Sequence, residues 1–144
     1  MMKDCKLAIT INKPVKEVFA FTINPDNTPK WVASITAEQT NEWPVKLGTI
    51  YRNQRKNGEW SEYEITEFEL NKAFVMRQKN DSFHVGYIFT SVDNDTATML
   101  DYRVWVDEGE LPGSLMADVL QDILEKLKQV VEDESTLLDL PASK

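Results

Sequence analysis

Apolar and polar residues alternate along much of the chain, which is typical of β-strands with one buried face. The first such segment covers residues 5–11. Residues 15–22 then carry apolar side chains at helical spacing, and a second short helix is expected over about residues 27–31. Six further alternating segments follow, separated by turn residues. They cover residues 34–42, 49–55, 59–70, 74–79, 83–92 and 96–106.

The pattern becomes helical near the end of the chain. An apolar stripe is formed by Met116, Leu120, Ile123, Leu127 and Val130. The helix is expected from Ser114 to Glu132 and must bury this stripe on the sheet. Because consecutive strands with tight turns pair antiparallel, we predict an α+β helix-grip fold. Its roughly seven-stranded curved antiparallel sheet wraps around the long C-terminal helix, with two short helices after the first strand. Residues 1–133 are expected to form this single domain, and residues 134–144 a tail.

The central hairpin has a predictable register. A three-residue loop over residues 56–58, with Gly58 in the left-handed conformation, places Tyr51 opposite Tyr63 and Arg52 opposite Glu62. This register pairs similar side chains with each other and places opposite charges together. The register that a two-residue loop would give does not. The inward face then carries Thr49, Tyr51, Asn53, Ser61, Tyr63 and Ile65.

Four tyrosines fall on inward faces: Tyr51, Tyr63, Tyr87 and Tyr102. A buried tyrosine needs a partner for its hydroxyl. Two interpretations remain open at this point: a filled core whose hydroxyls reach backbone groups, and an amphipathic pocket that binds a small organic ligand. For the second, the candidate lining residues are Trp31, Tyr51, Asn53, Ser61, Tyr63, Met76, Tyr87, Tyr102, Met116 and Leu120.

Composition and charge narrow the functional classes. The 144 residues carry a formal charge of -8, which disfavours nucleic acids and anionic membrane surfaces as partners. No segment has the length and apolarity of a membrane span or a signal peptide, so no membrane insertion and a cytoplasmic location are expected. The single cysteine, Cys5, is expected to be a buried, inert thiol, and the single histidine, His84, an exposed strand residue. We therefore expect no bound metal and no cofactor, and we expect neither the cysteine nor the histidine to be catalytic.

Several segments together resemble the SRPBCC, or START-like, superfamily, in particular its polyketide cyclase/dehydrase and lipid-transport branch. They are residues 11–27 with Trp31, residues 48–51, residues 63–69 (YEITEFE) and residues 87–93 (YIFTSVD). Many members have a proline pair where this chain has Leu70 and Asn71. The resemblance implies an apolar cavity between a seven-stranded sheet and the terminal helix.

The functions that the resemblance implies fall into three classes. The first is binding of a small hydrophobic or aromatic molecule, which the tyrosine pattern favours. The second is a metal-free cyclase or dehydratase, which would hold a reactive chain in a productive conformation. The third is a co-chaperone-like interaction module. The resemblance assigns no catalytic residue, and a monomer or a homodimer is expected.

Overall fold

The computed structural model describes residues 3–112, 115 and 117–138, with the side chains of the last helix described to residue 133. Strand β1 (Asp4–Ile11) leads into helix α1 (Val15–Ile23), a 3₁₀ turn (Pro25–Asn27) and the short helix α2 (Thr28–Trp31). Six strands follow: β2 (Ile35–Thr40), β3 (Ile50–Arg55), β4 (Trp60–Glu69), β5 (Ala73–Gln78), β6 (Phe83–Val92) and β7 (Ala97–Val106). Helix α3 (Ala117–Leu138) closes the fold.

The seven strands form one antiparallel sheet in the order β1-β7-β6-β5-β4-β3-β2. All neighbours except β1 and β7 are consecutive in sequence, so tight turns make most of the connections. The sheet curls around α3, whereas α1 contacts β6 and β7 and α2 contacts β2 and α3. The predicted α+β helix-grip fold is therefore confirmed.

Helix α3 buries one face completely. Leu120, Leu124, Leu127 and Val131 are all fully buried. The predicted stripe was rotated slightly from this face: Ile123 and Val130 are only half-buried, and Leu124 and Val131 take the central positions. Both stripes have the same spacing of four and three residues, so periodicity alone did not distinguish them. The helix continues past the expected end at Glu132, whereas Ser114 and Met116 lie outside the described residues.

The central hairpin has the predicted register. Tyr51 pairs with Tyr63, and Arg52 pairs with Glu62, whose carboxylate lies 3.4 Å from the guanidinium. Gly58 has a φ of 90°, the left-handed conformation that glycine adopts with least strain. The inward set is confirmed as well, because every member is buried except the half-buried Ser61.

The convex face of the sheet carries charged side chains and a stacked group around Trp105. The glutamates of β4 are exposed. His84 lies on this face but is not free: its side chain is 15% exposed, its ring stacks on Trp105 at 4.8 Å, and its Nε2 lies 2.8 Å from Asp107. The exposed position expected for His84 is therefore wrong, because the large Trp105 ring covers it. Gly86 makes room for that ring, since a Cβ there would lie 3.1 Å from it.

Two further observations concern the described part of the chain. Within it, no helix is both long and apolar enough to cross a membrane. The same residues contain no group of three or more histidine, cysteine, aspartate or glutamate side chains placed to hold a metal ion.

Cys5 is buried as predicted, and burial raises the pKa of its thiol, which keeps the sulfur protonated.

We predict that the buried face of α3 dominates the stability of the fold. Leu124→Ala should lower the free energy of unfolding by about 2–5 kcal/mol, because it leaves a cavity in a packed interior. Val119→Ala is the matched control on the same helix, since Val119 is 39% exposed. It should change stability by less than about 0.7 kcal/mol. Urea denaturation of both variants measures this, and equal losses would contradict the packing described.

Candidate functional site

The concave face of the sheet has two chemically different halves. In the first, Phe19 of α1 packs edge-to-face against Phe68, Phe74 and Phe89, with ring centroids 5.8, 5.9 and 5.1 Å away. These rings carry no polar atom, and they fill the space between α1 and the sheet. This half is an apolar core with no group that could orient a ligand.

The second half contains the tyrosines and is polar. Tyr87 stacks on Phe74 at 4.3 Å, which joins the two halves, and meets Tyr102 edge-to-face at 5.2 Å. Tyr63 lies opposite Tyr51 in the hairpin, and Asn53 lies beside them. Because inward side chains of neighbouring strands are adjacent, these groups share one region of the concave face.

The ten candidate residues of the sequence analysis occupy different environments. Those that are buried are Trp31, Tyr51, Asn53, Tyr63, Tyr87, Tyr102 and Leu120. Ser61 and Met76 also lie on the concave face but are half-buried. Leu120 belongs to α3 and Trp31 to α2, which packs against α3. Met116 lies outside the described residues.

The four tyrosine hydroxyls are not equivalent. Burial raises the pKa of all four, so each stays protonated at neutral pH and can donate a hydrogen bond. The Tyr51 hydroxyl donates to the Ile23 carbonyl at the end of α1, and Tyr63 faces the Arg55 guanidinium. The hydroxyls of Tyr87 and Tyr102 make no hydrogen bond with any residue that the structure describes. These two groups are available to another molecule.

Trp31 presents a third unpartnered donor. The residue is 4% exposed, and its indole Nε1 has no hydrogen-bond partner within the described chain. A buried N–H without a partner costs about 1–3 kcal/mol, so such groups are uncommon in folded proteins. Trp31 is thus a fixed donor in the interior with unused hydrogen-bonding capacity.

Glu38 is the residue that the sequence analysis missed. It is half-buried on β2, where its Oε1 accepts a hydrogen bond of 2.5 Å from the Thr28 hydroxyl. It pairs with Asn53 across the hairpin, and the Asn53 side chain donates a second hydrogen bond to the carboxyl. Burial raises the pKa of Glu38 from 4.5 to about 7 even though both hydrogen bonds oppose the shift. Glu38 therefore changes its charge near neutral pH inside the protein.

A β-bulge explains why alternation did not reveal Glu38. The register of β2 against β3 shifts between Ile35 and Ala37. The bulge interrupts the period of two, so Glu38 turns inward although the apolar residues that precede it, Ile35 and Ala37, lie at odd-numbered positions. No short sequence signal marks this bulge.

A depression of about 620 Å³ lies on the other, convex face of the sheet. Trp105, Arg103 and Ile88 are among the side chains that line it, and Gly86 forms part of its floor. Tyr87 and Tyr102 also line the depression, but their side chains lie on the concave face of the sheet. The depression is therefore separate from the tyrosine half of the interior.

We predict different effects on stability for two tyrosine-to-phenylalanine changes. Tyr51→Phe removes the donor to the Ile23 carbonyl and should lower the free energy of unfolding by about 1–3 kcal/mol. Tyr102→Phe removes a hydroxyl that bonds no described residue, and should leave stability within about 0.5 kcal/mol of the wild type or raise it slightly. Urea denaturation measures both. A larger loss of stability for Tyr102→Phe than for Tyr51→Phe would contradict the hydrogen bonding described for these two hydroxyls.

We also predict a pH dependence of stability that Glu38 causes. Its pKa of about 7 in the folded protein exceeds the unfolded value of 4.5. As the pH rises, the unfolded chain therefore releases this proton before the folded protein does. The protonated carboxyl contributes fully to the free energy of unfolding below pH 4.5. This contribution is lost as the pH rises to about 7. The loss is on the order of 3 kcal/mol.

Comparison with Glu38→Gln isolates this effect. Between pH 4.5 and 8 the wild type should lose free energy of unfolding relative to Glu38→Gln, because the other titrating groups are common to both. Glu64→Gln makes the same chemical change at an exposed position of β4 and should follow the wild-type profile. Parallel profiles for the wild type and Glu38→Gln would contradict the burial of this carboxyl.

Solved structures share the fold at low sequence identity. A START superfamily protein from Mycobacterium smegmatis superposes with a TM-score of 0.70 at 12% identity, over 94% of this chain and 99% of its own. The Aha1 dimer from Colwellia psychrerythraea gives 0.68 at 16%, over 91% and 97%. DynU16, a protein of the dynemicin biosynthetic locus, gives 0.69 at 19%, over 92% of this chain but 48% of DynU16. At these identities the likeness shows the fold alone.

Family membership comes from the sequence. A comparison with curated protein sequences gives no significant match. The profile of the family described as "Polyketide cyclase / dehydrase and lipid transport" matches residues 2–132, which is nearly the whole described fold. This match confirms the resemblance seen in the sequence, and the helix-grip architecture agrees with it. The chain therefore belongs to the polyketide cyclase/dehydrase and lipid transport family.

Proposed function

We propose that the protein binds a small hydrophobic or aromatic molecule between the concave face of the sheet and α3. One observation carries the proposal: the hydroxyls of Tyr87 and Tyr102 and the indole N–H of Trp31 have no hydrogen-bond partner among the described residues. Buried polar groups normally find partners. The Trp31 indole N–H is buried without a partner, and two inward-facing tyrosine hydroxyls make no hydrogen bond with a described residue. Together these groups favour a site for another molecule over a core that is complete by itself.

The surrounding side chains suit a ligand that is mostly apolar. Aromatic rings and the leucines of α3 would remove its surface from water, which contributes roughly 25 cal/mol for each Å² buried. The hydroxyls, the Asn53 amide and the indole N–H would then fix its orientation. This division of roles is typical of small-molecule pockets.

The partial exposure of two inward residues supports the same site. Ser61 and Met76 point to the concave face, yet both are half-buried rather than buried. A solid interior would cover them, whereas residues beside a pocket keep accessible surface. We place the entrance at this end, near the hairpin of β3 and β4. Membership of a family whose description includes lipid transport agrees with an apolar ligand.

We predict that Ser61→Leu separates stability from binding. In a pocket the added leucine occupies ligand space, so the free energy of unfolding should change by less than about 1 kcal/mol, compared with a loss of roughly 1–3 kcal/mol in a filled core. Binding of the neutral fluorescent probe Nile red should weaken at least about tenfold. Thr66→Leu, at an exposed position of the same strand, is the control and should leave probe binding unchanged.

Tyr63→Phe tests orientation at the same site. It keeps the ring and deletes the hydroxyl, so an oxygen-containing ligand should bind with roughly 0.5–1.5 kcal/mol less free energy. Fluorescence titration and thermal denaturation cover both variants. Strong destabilisation by Ser61→Leu, together with no binding of Nile red to the wild type, would show a solid interior and overturn the proposed function.

A further inference from the structure

The Glu38 carboxyl has hydrogen bonds but no cation beside it. Thr28 and Asn53 donate to it, and no lysine or arginine forms an ion pair with it within the described chain. Ionised carboxylates in protein interiors are normally paired with a cation, because removal from water is costly. When this carboxyl ionises, at neutral pH and above, none of the described residues supplies it with a positive partner.

The groups facing Glu38 are aromatic and uncharged at neutral pH. Tyr51 on β3, Tyr63 on β4 and Tyr87 on β6 lie close enough for the Glu38 charge to raise the pKa of their hydroxyls. From α2, the neutral Thr28 hydroxyl faces the carboxyl. The Arg55 guanidinium acts on the neighbouring Tyr63 hydroxyl, and no positive charge contributes to the pKa shift of Glu38.

We propose that the ligand of this interior carries a positively charged amine on an apolar body, and that the Glu38 carboxylate recognises the amine. The inference rests on the proposed function and assigns its ligand class. A carboxylate supplies the counter-charge and a hydrogen-bond acceptor. The electron-rich faces of tyrosine rings attract cations, as in the aromatic sites that bind quaternary ammonium groups.

Other ligand charges fit the site less well. A carboxylate or phosphate on the ligand would be repelled by the ionised Glu38 carboxylate, and a neutral ligand would gain no ionic attraction from it. The chain as a whole carries a formal charge of -8, which attracts cationic molecules and lowers the local concentration of anionic ones. Both the site and the long-range field therefore favour an amine.

The test uses two probes of the same size and shape. The first is 1-naphthylmethylamine, which is positively charged between pH 5 and 8, and the second is the neutral 1-naphthylmethanol. Binding of each to the full chain is measured by calorimetry at several pH values. At pH 8 the amine should bind at least about tenfold more tightly than the alcohol. Below pH 7 the amine must displace a proton from Glu38, so its affinity should fall by up to about tenfold for each pH unit, while the affinity of the alcohol stays nearly constant.

Variants assign the preference to Glu38. Glu38→Gln should abolish both the amine preference and its pH dependence, with the alcohol still bound. Glu38→Asp keeps the charge one methylene further away and should retain part of the preference. Glu64→Gln, on the exposed face of β4, should behave as the wild type. If Glu38→Gln does not fold, the pH dependence of the wild type and the behaviour of Glu38→Asp decide the question.

Different outcomes overturn different conclusions. If the alcohol binds but the amine gains nothing at pH 8, or if Glu38→Gln keeps the preference, the amine inference is wrong and the proposed function stands. If neither probe nor Nile red binds, both the inference and the proposed function fail.

Discussion

The fold depends on burial of the apolar face of α3 against a curved sheet. Leu120, Leu124, Leu127 and Val131 are completely buried there. A straight helix cannot fill the whole concavity of a curled sheet. The remaining space is filled at one end by the phenylalanines around Phe19. At the other end it is bordered by tyrosines, and this difference between the two ends creates the candidate site.

The tyrosine half carries polar groups that folding alone does not require. The Trp31 indole and two tyrosine hydroxyls bond no described residue, and the Glu38 carboxyl has no cation beside it. Each arrangement lowers the stability of the fold, because the free-energy cost of desolvating a polar group is offset only when that group finds a partner. The phenylalanine half shows that this same fold can be filled with apolar side chains. Polar groups at the second end are therefore best explained by what they bind, and the ligand would supply the missing interactions.

The sequence predicted the architecture well and the polar interior only in part. Strand alternation and the turn at Gly58 were sufficient to predict the register that sets Tyr51 against Tyr63, because cross-strand pairing is a local property. The position of Glu38 was not predictable, because a bulge in β2 reverses its face and no short sequence signal marks that bulge. Similarly, hydroxyls that find partners and those that do not look identical in a sequence. Periodicity located the tyrosines, but only the structure separated Tyr51, which bonds a carbonyl, from Tyr102.

The four tryptophans provide the most direct test of ligand binding in this interior. Trp31 is inside, whereas Trp43 is 56% exposed, Trp60 is 39% exposed and Trp105 lies on the convex face. Each indole N–H gives one signal in a ¹H–¹⁵N correlation spectrum. When 1-naphthylmethanol is added to saturation, the Trp31 signal should shift while the other three stay in place. If Trp31 does not move, or if the shifts are confined to the other three, the ligand does not bind between the sheet and α3.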